Sequence, residues 1–276
     1  MSDTTGDDAT REIEQGALSV VIPAFNEAGN IGDLIAETVQ AVPAHLLREI
    51  VVVDDGSNDG TEGELKKLSV ETPKLRYVRH VVRAGQSAAL RTGVRAATAP
   101  LIATMDGDGQ NDPRDIAKLL AALEERKGET VALAGGVRTN RRTETSKRIA
   151  STAANWLRDA ILADGCPDTG CGIKVFRRDV FLDLPYFSGM HRYLPALVLA
   201  YGGAAVYVPV NDRPRRTGVS KYTNVGRAVI GVYDLIGVRW LIRRTVLPDR
   251  RAAAGRVLEA GRNSQSQRKE PACLQS

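Results

Sequence analysis

Cysteine is scarce in this chain. It holds three in 276 residues, Cys166, Cys171 and Cys273, with no second pair or histidine set to make a zinc site and too few for a disulfide framework. That usage fits a reducing compartment. Histidine is as rare: His45, His80 and His191 are scattered, which leaves no clear catalytic base. Aromatic residues make up 5% and do not interleave with the basic clusters, so nucleic-acid binding is not expected. No apolar run reaches the ~20 residues that span a bilayer; the longest candidate, 228–242, is interrupted by Asp234 and Arg239. The N-terminus is polar and acidic, so no secretory signal is expected.

What is present suffices for a globular core, at 43% hydrophobic and 26% charged residues. The net charge of +5 is unevenly spread. Lysine and arginine gather between Arg138 and Arg148, at Arg213 to Arg216, and from Arg239 onward. Such patches suit phosphates or anionic lipid. Residues 1–16 are expected to be disordered, and 248–276 to form a basic disordered tail. Cys273-Leu-Gln-Ser276 has the length of a prenylation box, but Gln275 suits its aliphatic position poorly, and a polar tail is the reading adopted.

Between these ends, strands and helices alternate. Apolar, β-branched runs at 18–22, 49–53, 75–78, 101–105 and 131–137 predict strands. Helical spacing predicts helices over 30–41, around Leu65 and Leu68, over 86–97, and from Pro113, a favoured first-turn residue. Further on, helices are expected at 145–162 and 193–200, strands at 171–176 and 205–210, and an amphipathic helix at 222–244. This alternation means an α/β protein with a mainly parallel central sheet covered by helices on both faces. Ligands in such sheets bind at the carboxyl ends of the strands. Three predicted strands end there in carboxylate-bearing loops, at Glu27, at Asp54-Asp55 and at Asp106-Gly-Asp108.

The last of these is the most informative. A buried strand runs into two carboxylates one residue apart, which repel unless a cation sits between them and a ligand. Gly107 and Gly109 permit a sharp turn and close approach of a bulky ligand. Hard divalent cations take one or two carboxylates plus substrate phosphates. A metal-diphosphate site follows from this arrangement, with Mg2+ or Mn2+ as cofactor.

The ordered set Val21-Ile-Pro23-Ala-Phe25-Asn-Glu27, Asp54-Asp55-Gly-Ser57, Arg83-Ala-Gly85-Gln86 through Gly93, and Asp106-Gly-Asp108-Gly-Gln110 resembles the inverting family 2 glycosyltransferases of GT-A fold. Within them it is most similar to the dolichol-phosphate mannosyltransferase group and its bacterial polyprenyl-phosphate relatives. Asp168-Thr-Gly-Cys171-Gly-Ile-Lys174 and Arg215-Arg-Thr-Gly218-Val-Ser220-Lys221-Tyr222 match that group's distal motifs. The likeness covers residues 17 to 244, with 17–221 as the catalytic domain; 222–247 is expected to be an amphipathic helical segment, either membrane-interfacial or packed on the core.

The resemblance implies roles. Pro23, Phe25, Glu27, Asp54 and Asp55 would bind the base and ribose of a nucleotide-sugar, and Gln110 would join Asp106 and Asp108 around the metal and diphosphate. Asp108 would touch the metal directly. Arg138, Arg148, Ser151 and Lys221 would hold the acceptor phosphate, with Arg215 catalytic beside Asp106 and Asp108. Arg83 departs from the pattern, standing where many relatives have Asn.

Charge chemistry favours a phosphate acceptor, since a lipid phosphate is largely ionised near neutral pH and needs no base to become nucleophilic. The expected activity is inverting transfer of one sugar from a nucleotide-diphospho-sugar to a polyprenyl phosphate. It would take place peripherally at the cytoplasmic face of a membrane, alone, as a homo-oligomer or beside a membrane-protein partner. The competing readings are a family 2 enzyme with a hydroxyl acceptor in cell-envelope synthesis, and a non-catalytic sugar-nucleotide-binding protein.

Overall fold

A computed structural model describes residues 15–125, 131–139, 157–214, 224–246 and 257–259. Eight strands form one sheet: β1 (Leu18–Ala24), β2 (Leu47–Asp54), β3 (Leu75–Arg79), β4 (Leu101–Thr104), β5 (Val131–Arg138), β6 (Lys174–Arg177), β7 (Ala204–Val210) and β8 (Val257–Glu259), in the order β3-β2-β1-β4-β6-β5-β7-β8. The helices are α1 (Ile31–Ala41), α2 (Thr61–Glu71), α3 (Gln86–Ala96), α4 (Asp115–Glu124), α5 (Arg178–Asp183), α6 (Leu194–Ala200) and α7 (Asn224–Arg244). Residues 157–162 are also helical.

The strands form where β-branched residues run unbroken, because both faces of the sheet are covered. Alternation along β1 and β2 divides the core in two. Leu18, Val20, Ile22, Ile50 and Val52 pack with Ile31, Leu34 and Ile35 of α1 and Ile116, Leu119 and Leu120 of α4. Val21, Val51 and Val53 face the other way, onto Ala89, Leu90 and Val94 of α3. That second layer continues through Phe176 and Phe181, whose rings stack at 5.0 Å, to Leu197 of α6 and Leu235 and Val238 of α7.

The mainly parallel sheet expected from the sequence is present with one reversal. β6 runs antiparallel to both neighbours, β4 and β5, and it begins at Lys174 rather than Cys171. β5 and β7 then resume the direction of β1, β2 and β4. The loops after β1, β2, β4, β5 and β7 therefore share one edge, and the first residue of β6 lies there too, with Lys174 opposite Thr104. Chain order reverses between β1 and β4, which is where open α/β sheets bind ligands.

Two expectations about the C-terminal region change. α7 is apolar on two sides: Leu235 and Val238 are buried, while Val232, Tyr233, Ile236 and Trp240 are exposed. The tail, expected to be without regular structure, supplies β8, paired in parallel with β7. Residues 1–14, 126–130, 140–156, 215–223, 247–256 and 260–276 lie outside the described residues, and with them Arg148, Ser151, Arg215 and Lys221.

Candidate active site

The loop after β1 is laced to the loop after β2. Asn26, in a left-handed conformation (φ 56°), exchanges hydrogen bonds with Asn58, its Nδ2 donating to Asn58 Oδ1 and its Oδ1 accepting from the Asn58 amide, each at 2.9 Å. The Asn26 amide donates to Ser57 Oγ (2.9 Å) and the Glu27 amide to Thr61 Oγ1 (3.0 Å). Glu27 accepts from Asn30 Nδ2 at 3.0 Å. Pro23 closes against the loop after β4, its carbonyl 3.1 Å from where a Cβ on Gly107 would stand. This bracing fixes the loop that carries Phe25 and Glu27.

Asp54 and Asp55, adjacent in sequence, do different things. Asp54 is fully buried; its Oδ1 accepts the Ser57 amide (2.9 Å) and its Oδ2 lies 3.3 Å from Arg79 Nε. Asp54, expected among the donor-binding residues, ties the turn in this structure. Asp55 reaches across to the third loop. Its Oδ1 accepts the Ala84 amide and meets His80 Nδ1, both at 2.8 Å, and its Oδ2 accepts the Gly85 amide at 2.7 Å. Gly85 has φ 92°, a left-handed backbone that suits glycine. His80 is held on its other nitrogen by Thr92 Oγ1 at 3.0 Å. Asp55 thus shapes the loop that carries Arg83, and the Arg83 guanidinium lies 4.1 Å from the centre of the Phe25 ring, a cation–π contact.

Asp106 and Asp108 follow β4 at the switch point. Asp106 Oδ1 accepts from Gln86 Nε2 (2.7 Å), and its amide donates to Asn111 Oδ1 (3.0 Å). Asp108, largely buried, accepts the Gln110 amide at 3.1 Å. Withdrawal from water, and then the neighbouring charge of Asp108, push the Asp106 carboxyl up to about 6, against the opposing pull of Lys174 and Arg138. The two acids repel across a small gap, the condition a divalent cation relieves. This donor set fits a hard cation that draws its remaining ligands from substrate phosphates and water. Among the described residues no three acidic, histidine or cysteine groups gather as a self-sufficient metal cage. Gln110, expected beside the metal, turns its Nε2 to the Arg213 carbonyl at 3.4 Å.

Arg138 is at the edge, but its fork is occupied. Nε donates to Asp168 Oδ2 (2.7 Å) and Nη2 to Asp168 Oδ1 (2.8 Å), a bidentate pair that a phosphate would have to share. Lys174 is buried and donates to the Cys171 carbonyl.

Two contributors escaped sequence reasoning, and a third was read for a different partner. Ser87, in the first turn of α3, pairs with His191 Nδ1 at 2.7 Å and accepts the Gly189 amide at 3.1 Å, which anchors the loop before α6. Asp112 accepts Arg114 Nη2 and Arg213 Nη2, each at 2.7 Å, and these hydrogen bonds outweigh burial to hold its carboxyl well below the usual range. The position before Pro113, at a helix start, was its one local signal. Arg213 belongs to a cluster the sequence suggests for phosphate, yet it pairs with Asp112 and with Glu37 Oε2 (2.6 Å) instead.

Residues 19–184 match the profile of glycosyl transferase family 2. The dodecaprenyl-phosphate galacturonate synthase of Rhizobium johnstonii is 35% identical over 236 residues, covering 84% of this chain and 69% of that protein. The undecaprenyl-phosphate 4-deoxy-4-formamido-L-arabinose transferase of an Enterobacter species is 32% identical over 224 residues, covering 79% of this chain and 66% of that protein. The chain therefore spans about two thirds of the length of these relatives. In three dimensions it is similar to glucosyl-3-phosphoglycerate synthase of Mycobacterium tuberculosis, solved with Mn2+, UDP and phosphoglyceric acid. The TM-score is 0.61 at 22% identity, over 85% of this chain and 80% of that one. A further structure of that enzyme, with Mg2+ and UDP, gives the same TM-score of 0.61. The likeness bears out the GT-A fold.

Proposed function

This chain belongs to glycosyl transferase family 2, and from that premise we propose that it transfers one sugar, with inversion, from a nucleotide-diphospho-sugar to a polyprenyl phosphate. The observation that carries the reading is the Asp106–Asp108 pair at the β1/β4 switch point, on a chain whose relatives at 35% and 32% identity are both polyprenyl-phosphate sugar transferases.

The residues support a division of labour along the sheet edge. Phe25 and Arg83 would take the nucleobase, in the loop that Asp55 organises. Asp106 and Asp108 would hold Mg2+ or Mn2+ with the diphosphate, as the donor set suits. When bound, the metal neutralises charge that builds on the departing diphosphate. Arg148, Ser151, Arg215 and Lys221 would bind the acceptor phosphate, with Arg138 contributing field more than a free fork. A lipid phosphate attacks the anomeric carbon without a base, which fits the placement of the histidines: His80 is locked between Asp55 and Thr92, and His191 is bonded to Ser87. Because a polyprenyl phosphate stays in its bilayer, the reading extends to work at the cytoplasmic membrane face. Among the described residues no helix is long and apolar enough to cross a membrane.

The test is a panel of nucleotide-sugars with a short polyprenyl phosphate and Mg2+ or Mn2+, read by mass as polyprenyl-phosphate sugar. Formation of that product from one donor is expected. Transfer to a hydroxyl acceptor with no lipid phosphate would overturn the acceptor assignment.

A further inference from the structure

We propose that Arg213 is a positioning residue that locks the acceptor-side loop onto the donor-side loop, so that the two substrates are presented to one another by a single rigid edge. The proposal rests on the two-substrate reading above.

The observation is a continuous seam between the segment leaving β7 and the one leaving β4. The Asn211 amide donates to Asp115 Oδ2 at 2.7 Å. Asn111 and Asp212 form an isolated antiparallel bridge. The Arg213 amide donates to the Gln110 carbonyl at 3.0 Å, and Gln110 Nε2 returns to the Arg213 carbonyl at 3.4 Å. The Arg213 guanidinium then spans two elements, with Nη2 on buried Asp112 (2.7 Å) and Nη1 on Glu37 of α1 (2.6 Å). One side chain joins α1, the start of α4 and the loop after β7.

Position gives the seam its meaning. Gln110 closes the Asp106-Gly-Asp108-Gly-Gln110 motif, and Arg213 stands two residues before Arg215, where the acceptor motif begins. Both backbone bonds of Arg213 go to Gln110 itself. The segment that leads to Arg215 is thus fixed to the end of the Asp106-Gly-Asp108-Gly-Gln110 motif at one residue pair, and the ion pairs determine how firmly. A planar fork suits this task, since it meets two carboxylates from a fixed plane. Displacing reacting groups by ~1 Å costs on the order of a hundredfold in rate, so a device that holds this spacing acts on turnover and on placement of the acceptor rather than on donor affinity.

The experiment compares Arg213→Met and Arg213→Lys with wild type in the intact chain. Arg213→Met should lower kcat tenfold or more and raise the acceptor KM, while the dissociation constant for UDP or GDP, whichever wild type binds, stays within twofold. Arg213→Lys, which keeps a charge but not the fork, should recover part of the loss. Amide exchange at Asn211 and Arg213 should quicken in Arg213→Met. Unchanged exchange overturns the lock. Quickened exchange with unaltered kcat and acceptor KM overturns its positioning role, leaving a stability effect only. If wild type turns over no polyprenyl phosphate, the functional reading falls, and the exchange comparison still decides the lock.

Discussion

Gly172 shows how narrowly single positions are set at this site. A Cβ there would stand 2.3 Å from Asp106 Oδ2 and 2.8 Å from Asn111 Oδ1, closer than real carbon atoms approach. Gly172→Ala should therefore push the Asp106 carboxylate out of place and cut metal-dependent turnover at least tenfold, with far-ultraviolet circular dichroism unchanged. Asp108→Ala should remove most activity as well, and EDTA should silence the wild type. Full turnover in EDTA would end the metal assignment. At this scale the sequence was legible in kind but not in detail. Asp54 and Asp55 look interchangeable on the page and both are buried, yet successive residues at a strand end point to opposite sides, so one ties the turn and the other clasps the neighbouring loop. Arg138 reads as a phosphate ligand because nothing in its own neighbourhood announces Asp168, thirty residues on.

At the scale of elements, α3 lies unusually close to the sheet. A Cβ on Gly93 would meet Val21 Cγ1 at 2.4 Å and Val53 Cγ2 at 3.1 Å, so Gly93→Ala overpacks the layer between α3, β1 and β2. The expected cost is about 1–3 kcal/mol, read as a lower denaturation midpoint with an unchanged slope. At the amino end of the sheet Glu49 binds several elements together: Ser19 of β1 (3.0 Å), Arg76 of β3 (2.5 Å) and Thr98 after α3 (2.7 Å). Burial raises its carboxyl, but these hydrogen bonds prevail and hold it below the usual glutamate value. A depressed folded pKa contributes stability above the unfolded value of ~4.3 that is lost as pH falls through the folded one. Glu49→Gln should thus be less stable than wild type at pH 7, and thermal melts of the two should converge as pH drops below ~4. A gap that stays constant from pH 7 through the whole acid range would show that packing, not charge, sets the effect. Strand positions were legible because apolar runs mark them; the reversal of β6 was not, because a doubly covered strand has the same pattern in either direction.

For the whole molecule, the open question is what α7 faces. Its inner side joins the core through Leu235 and Val238, and its outer side exposes Val232, Tyr233, Ile236 and Trp240 near Arg243 and Arg244. Aromatic and aliphatic groups beside arginines suit the interface of an anionic membrane, where each basic residue adds ~1 kcal/mol, screened by salt. Wild type should bind anionic liposomes at low ionic strength and release them as salt rises. Ile236→Glu with Trp240→Glu should weaken that binding about tenfold or more without a change in melting temperature, since both side chains are exposed. Equal binding by the double variant would place the membrane contact elsewhere.

The sequence by itself determined the layered sheet, the edge on which its loops gather and the carboxylate pair that defines the site, because each follows from local pattern: apolar runs, helical spacing, and acids and glycines at strand ends. Which acids tie turns and loops, which arginines are already engaged, that Arg213 joins three elements and that α7 has two apolar sides came from the tertiary fold alone. Those outcomes depend on partners 30 to 176 residues away along the chain, and the choice among such partners is made by packing and burial, which no local pattern encodes.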